Sequence, residues 1–449
     1  MNIKKTLVAV PLSFSLLLPV AANTTFAHEG HEHKPTVTNP AVDLRTTLDK
    51  LLGEHVYLAV ETMRKGVDGA PDFEQSAAAL QANTEDLSAA IASVYGDEAG
   101  QKFKDMWSAH IGFFVDYVKG TASEDEAAKK AALDELAQYK EDFSNFLSTA
   151  TDERLEADAL AEGLQMHVDQ LIGAFNAYVA GDFEKAYKYE REAIHHMYMV
   201  SKGLSSAIVQ QFPEKFENTK AVTPAADLRS NLNYLLSEHA GLAAMAMQNG
   251  IEGSEDFEAS AAALAANTED LSAAIGSVYG EEAGQKFKDM WSAHIGNFVD
   301  YVKATGAKDE DAKKAALDAL AEYKKNFSEF ISTATEGRVP ADVLAEGLQM
   351  HVEQLVKAFD TYVAEDYATT YPTIREAYAH MFGTSKALSG AIVAQFPDKF
   401  AGEMPDEMPK TGMGGTADQG MSTEAMILAG LTAMMAAAIV VSRRLSKQK

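Results

Sequence analysis

No cysteine occurs in the 449 residues. Disulfides, thiolate zinc sites, iron–sulfur clusters and blue copper are therefore excluded. Basic residues are also scarce: 39 Lys and Arg stand against 66 Asp and Glu, leaving a formal charge of −27. Such a surface repels phosphate backbones, so nucleic acid is not an expected partner. It suits an exported protein and attracts cations weakly and without selectivity. No Gly-rich phosphate loop, nucleophile elbow or His-Glu-x-x-His zinc-protease motif is present. The chain therefore reads as a binder before it reads as an enzyme. Prolines number only 12 while 47% of residues are hydrophobic, the composition of a folded protein.

The chain does contain a spacing. His55, His110, His167 and His196 recur as His239, His294, His351 and His380, each 184 residues later. The same offset maps Trp107 onto Trp291, Asn83 onto Asn267 and Met106 onto Met290. "NTEDLSAAI" and "FKDMWSAHIG" recur unchanged, so the chain is a tandem duplication. His195 has no counterpart, since Ala379 stands there, and it reads as a surface residue. The copies span 43–216 and 227–400, each large enough to bury a core. The joint at 217–226 is short and polar with Pro224, and reads as a linker.

Apolar periodicity predicts an all-α fold of two tandem six-helix bundles. In the first copy the helices fall near 43–66, 72–95, 97–119, 123–150, 156–180 and 182–211. On the third, Phe103, Met106, Trp107, His110, Phe114 and Tyr117 follow the i, i+3, i+4 rule. On the first, fifth and sixth, His55, His167 and His196 lie on the same kind of stripe. All four imidazoles should point inward. Each lies near the middle of its helix, and midpoints of packed helices share a layer whichever way the helices run. The four rings are thus expected to meet at mid-height.

Neutral imidazole is the commonest protein ligand for copper, iron and zinc. Four inward rings would hold such an ion, and thioethers beside them would also suit haem iron. Glu54 and Glu238 adjoin the first histidine of each copy, and Glu192 and Glu376 precede the last by one turn. These four carboxylates, with Met106 and Met290, are candidates for a second ligand or for orienting the rings. A single Glu-x-x-His pattern, Glu192 to His195, is broken by Ala379 in the other copy, which argues against a ferritin-like di-iron site.

The ends of the chain speak to location. Lys4 and Lys5 precede an apolar run from Leu7 to Val20 and then Thr25-Phe26-Ala27. This is a secretory signal peptide pattern over 1–27, removed by signal peptidase after Ala27, with Ala22 the second choice. Cleavage at Ala27 leaves a leader, 28–42, that starts with His28, His31 and His33, a weak site for Cu(II), Ni(II) or Zn(II). At the other end, "MPKTG" at 408–412 precedes a Gly-rich spacer, an apolar run over 425–441 and then Arg443, Arg444 and Lys447. The run is long enough to cross a bilayer with its basic tail in the cytoplasm.

That C-terminal segment, 401–449, resembles the sorting signal of Gram-positive surface proteins, which normally begins Leu-Pro-x-Thr-Gly. The resemblance implies that a sortase cuts between Thr411 and Gly412 and joins the threonine to peptidoglycan. Met408 stands where that family has Leu. Without a sortase the same segment is a plain membrane anchor. The two copies also resemble secreted all-helical repeats of Gram-positive bacteria that often carry a copper amine oxidase label. That resemblance implies copper among the candidate metals but no such activity. The Asn-Tyr-Asp/Glu motif of those oxidases is missing, because Leu235 follows Asn233-Tyr234.

The expected protein is wall-anchored and captures or sequesters a transition metal or haem. Two alternatives stay open at this point: an adhesive or spacer protein with ordinary core histidines, and a metal-dependent oxidase or oxygen-binding module.

Overall fold

Asn39 opens the first helix. Its side-chain oxygen accepts from the Val42 amide at 2.8 Å, and Pro40 occupies the first turn, where its missing N–H costs nothing. Gly69 closes that helix at φ 63°, a left-handed residue that lets the chain turn back. The second copy repeats the device with Thr223, Pro224 and Gly253. In the computed structural model, which describes residues 34–402, these caps bound the first of six long helices in each copy. The helices of the first are α1 (Pro40–Asp68), α2 (Phe73–Tyr95), α3 (Asp97–Ala122), α4 (Glu126–Ala150), α5 (Ala157–Val179) and α6 (Phe183–Gln211). Those of the second are α7 (Pro224–Glu252), α8 (Phe257–Tyr279), α9 (Glu281–Ala307), α10 (Glu310–Ala334), α11 (Ala341–Val363) and α12 (Tyr367–Gln395). The described residues contain no strand.

Successive helices pack as neighbours in each copy, and α1 also touches α3, α5 and α6. It is the central helix of its copy, and α7 takes the same place in the other. Both are buried on every side at mid-length: Leu51–Lys65 and Leu235–Asn249 are continuous buried runs. A one-sided stripe cannot produce such a run. The remaining side is covered by the other copy, for α1 packs on α7, α6 on α8 and α2 on α12.

Among the described residues, 35–402 form one compact unit. Part of the joint is packed as well: Ala221, Ala225 and Ala226 are buried, and Arg45 donates to the Ala221 carbonyl.

The copies meet about a pseudo-two-fold axis. Arg45 pairs with Asp227 at 2.6 Å, and the equivalent Arg229 pairs with Asp43 at 3.1 Å. Arg191 grips Glu238 and Asp270, while Arg375 grips Glu54 and Asp86. Tyr187 donates to Asp256 and Tyr371 to Asp72. This reciprocity is the mark of an isologous interface.

At two positions that meet their own counterparts across the axis, the residues differ. Asp49 faces Asn233, and Tyr57 faces Gly241. Next along α1, Glu61, Arg64 and Lys65 correspond to Met245, Gln248 and Asn249. Two aspartates, or two tyrosines, would collide there. Buried between the copies, Arg64 pairs with Asp256, and Lys65 with Asp72 at 3.1 Å.

Among the described residues no helix is long and apolar enough to cross a membrane. The expected signal peptide 1–27, the histidines His28, His31 and His33, the expected Thr411–Gly412 cleavage site and the apolar run 425–441 lie outside the described residues.

Candidate metal centre

The buried stripe of α3 runs Gly100, Phe103, Trp107, His110, Phe114 and Tyr117, alternating steps of three and four. It delivers His110 to the middle of the helix, and α1 and α5 deliver His55 and His167 likewise. The three rings meet. One nitrogen from each lies within 4.8 Å of the others, and His239, His294 and His351 repeat the group in the second copy. All six are buried, none more than 4% exposed.

The spacing fits an ion. A metal about 2.0–2.1 Å from each nitrogen lies about 3.2 Å from each ring centre, so three rings around it stand about 5.2–5.5 Å apart. The observed separations are 5.4, 5.8 and 6.5 Å in the first copy. In the second they are 5.3, 5.9 and 6.3 Å. Closing the widest pair by about 1 Å completes the geometry.

Hydrogen bonding points the same way. Both ring nitrogens of His55, His167, His239 and His351 are buried without a partner. Each such atom costs about 1–3 kcal/mol, and an ion bound through a ring nitrogen removes part of that cost. Nδ1 of His294 lies 2.8 Å from the Trp291 carbonyl, to which it donates, leaving the other nitrogen free to coordinate.

Burial also fixes the protonation state. It pushes His110 down to about 3, with the Trp107 carbonyl opposing. It pushes His294 down to about 4 against the same kind of carbonyl, and His351 to about 3 with help from His294 and His380. His55, His167 and His239 lie well below the usual imidazole range, through burial first and neighbouring imidazoles second. All six are neutral at pH 7, the state in which imidazole binds metal.

Aromatic rings wall the group. Trp107 lies 4.7 Å from His55 and 4.6 Å from His110, centre to centre. Tyr139 stacks on His110 at 4.9 Å, 16° from parallel. Trp291 and Tyr323 repeat both contacts. The indole N–H and the phenol O–H are themselves buried and unpartnered. Neither aromatic was assigned a role from sequence. The usable signal was positional: Tyr139 sits at the middle of α4, as the histidines do on their helices.

The expected fourth ligand does not join. His196 shares the layer, but its Nε2 lies 3.0 Å from the Gly163 carbonyl on α5, and a carbonyl can only accept. His380 does the same with Gly347 at 2.9 Å. Each donates Nε2–H to a backbone carbonyl, and the nitrogens gathered within 4.8 Å of one another belong to three histidines per group, His196 and His380 not among them.

The flanking carboxylates are engaged elsewhere. Glu54 accepts from Arg375 and Asn83, and Glu238 from Arg191, Asn267 and Tyr234. Glu192 and Glu376 are exposed. Met106 and Met290 are half-buried against the apolar core. His195 is exposed, its ring 5.2 Å from Tyr234.

No protein-family model matches the chain, and neither a curated protein nor a solved structure matches it.

Proposed function

We propose that the chain is an exported, wall-anchored protein whose two six-helix modules each hold one transition-metal ion, for capture or sequestration at the cell surface. The ligands are His55, His110 and His167 in one module and His239, His294 and His351 in the other. The observation that carries this reading is the pair of buried three-histidine groups at coordination spacing. A protein interior rarely gathers three neutral imidazoles, two of them with neither ring nitrogen partnered, unless something rewards it.

An ion is favoured over haem. Indole and phenol rings pack within 4.9 Å of the imidazoles and leave no slab for a porphyrin. Capture is favoured over turnover because the ligands are sealed from solvent. Export and anchoring rest on the N-terminal signal pattern and the "MPKTG" segment with its apolar run.

Metal analysis and an absorption spectrum of the purified full chain test the proposal. Two ions per chain and no Soret band are expected. A Soret band would replace the ion with haem. Metal-free protein whose melting ignores added copper, iron and zinc would leave a helical spacer.

A further inference from the structure

The two tryptophans of the chain sit one at each histidine group, against the same two of its three rings. Building on the metal-centre reading, we propose that each site takes a soft monovalent d10 cation, Cu(I) or its stand-in Ag(I), and that Trp107 and Trp291 cover it with the indole ring.

Charge is the first argument. The donors are three neutral imidazoles, and no carboxylate belongs to either group. Glu54 and Glu238, the acids nearest in sequence, are paired with Arg375 and Arg191 of the opposite copy. The surroundings are aromatic, with Phe103, Phe114 and Phe143 packed around Trp107 and His110. The cost of desolvating an ion grows with the square of its charge, so a dication left uncompensated here is penalised about four times as heavily as a monocation.

Coordination number is the second. His196 and His380, the fourth histidines of the copies, lie outside the groups whose nitrogens come within 4.8 Å, and each donates Nε2–H to a backbone carbonyl. Zinc wants four ligands, and a water in the fourth place must reach a site whose histidines are at most 4% exposed. A d10 monocation is satisfied by three imidazoles.

The indole is the third. Its centre lies 4.6–4.8 Å from both His55 and His110, or from His239 and His294. An ion between those rings comes within the range of about 6 Å over which an indole attracts a cation, an attraction strongest when water is excluded.

Because each site owns one of the two tryptophans, emission reports occupancy directly. The full chain is titrated anaerobically with Cu(I), with Ag(I) and separately with Zn(II), following tryptophan emission and the metal retained after desalting. The expected result is emission falling by more than half, with a break at two Cu(I) or Ag(I) per chain, and little change with Zn(II). Trp107→Phe should weaken Cu(I) at its own site by about tenfold and leave the other unchanged. Zinc retained at two per chain against excess Cu(I) overturns this proposal and leaves the metal centre standing. So does Cu(I) bound at two per chain with undisturbed emission. Retention of none of the three metals overturns both.

Discussion

The ring of Tyr57 lies on the bare backbone of Gly241, the residue at the same position in the other copy. A Cβ on Gly241 would stand 3.0 Å from Cδ2 of Tyr57 and 3.2 Å from Cε2. Knob and hole at one duplicated position show that the copies have diverged where they face each other. Gly241→Leu should destabilise the chain by about 1–3 kcal/mol through overpacking. Combining it with Tyr57→Ala should recover at least half of that in a double-mutant cycle read by urea unfolding. Strict additivity of the two substitutions would contradict the contact.

Stability of the metal-free protein should peak near pH 6.5. The unfolded chain takes up protons on its histidines near 6.5, while the folded core refuses them until about 3 for His110 and His351 and about 4 for His294. Their contribution is complete above pH 6.5 and drains as pH falls toward those values. Each group loses up to about 1.4 kcal/mol per pH unit. Glu190 acts in the opposite sense. Burial first, and the nearby Glu61, Glu238 and Asp256, push it up to about 8 against Arg64. The folded state therefore gains from Glu190 as pH falls through 8. Glu61 and Asp49, raised chiefly by burial, lean the same way, but six imidazoles outnumber three acids below 6.5. Melting in chelator across pH 4–9 checks this. Glu190→Gln should flatten the alkaline limb alone, and a flat profile between 6.5 and 5 would refute the buried-neutral assignment.

Arg375→Ala should lower stability by about 3 kcal/mol, since it leaves the carboxylate of Glu54, 2% exposed, with Asn83 as its remaining partner. Bound metal should stay unchanged. Loss of metal at unaltered denaturation midpoint would instead return Glu54 to the coordination sphere.

These residues show how far the sequence reaches. The helices start and stop within a few residues of the apolar periods and caps, because those signals are local. The mid-helix placement of His55, His110 and His167 was legible for the same reason, and so was their convergence. His196 has equally good periodicity, yet it bonds to Gly163. Which neighbour a ring on the stripe meets depends on helix rotation, which no single helix encodes. Glu54 finds its arginine 321 residues away, across an axis that exists only after both copies fold. The continuous burial of α1 has the same origin.

His196→Ala should leave two ions per chain and cost about 1–3 kcal/mol of stability, from packing and the lost bond to Gly163. Its loss of one ion, with the fold intact, would restore a four-histidine site.

The most direct measurement is metal stoichiometry across His110→Ala, His294→Ala and the double variant, with helix content followed by circular dichroism. Two ions are expected for the parent chain, one for either single variant and none for the double, all at parental helicity. A folded double variant that still carries two tightly held ions would contradict the metal-centre assignment.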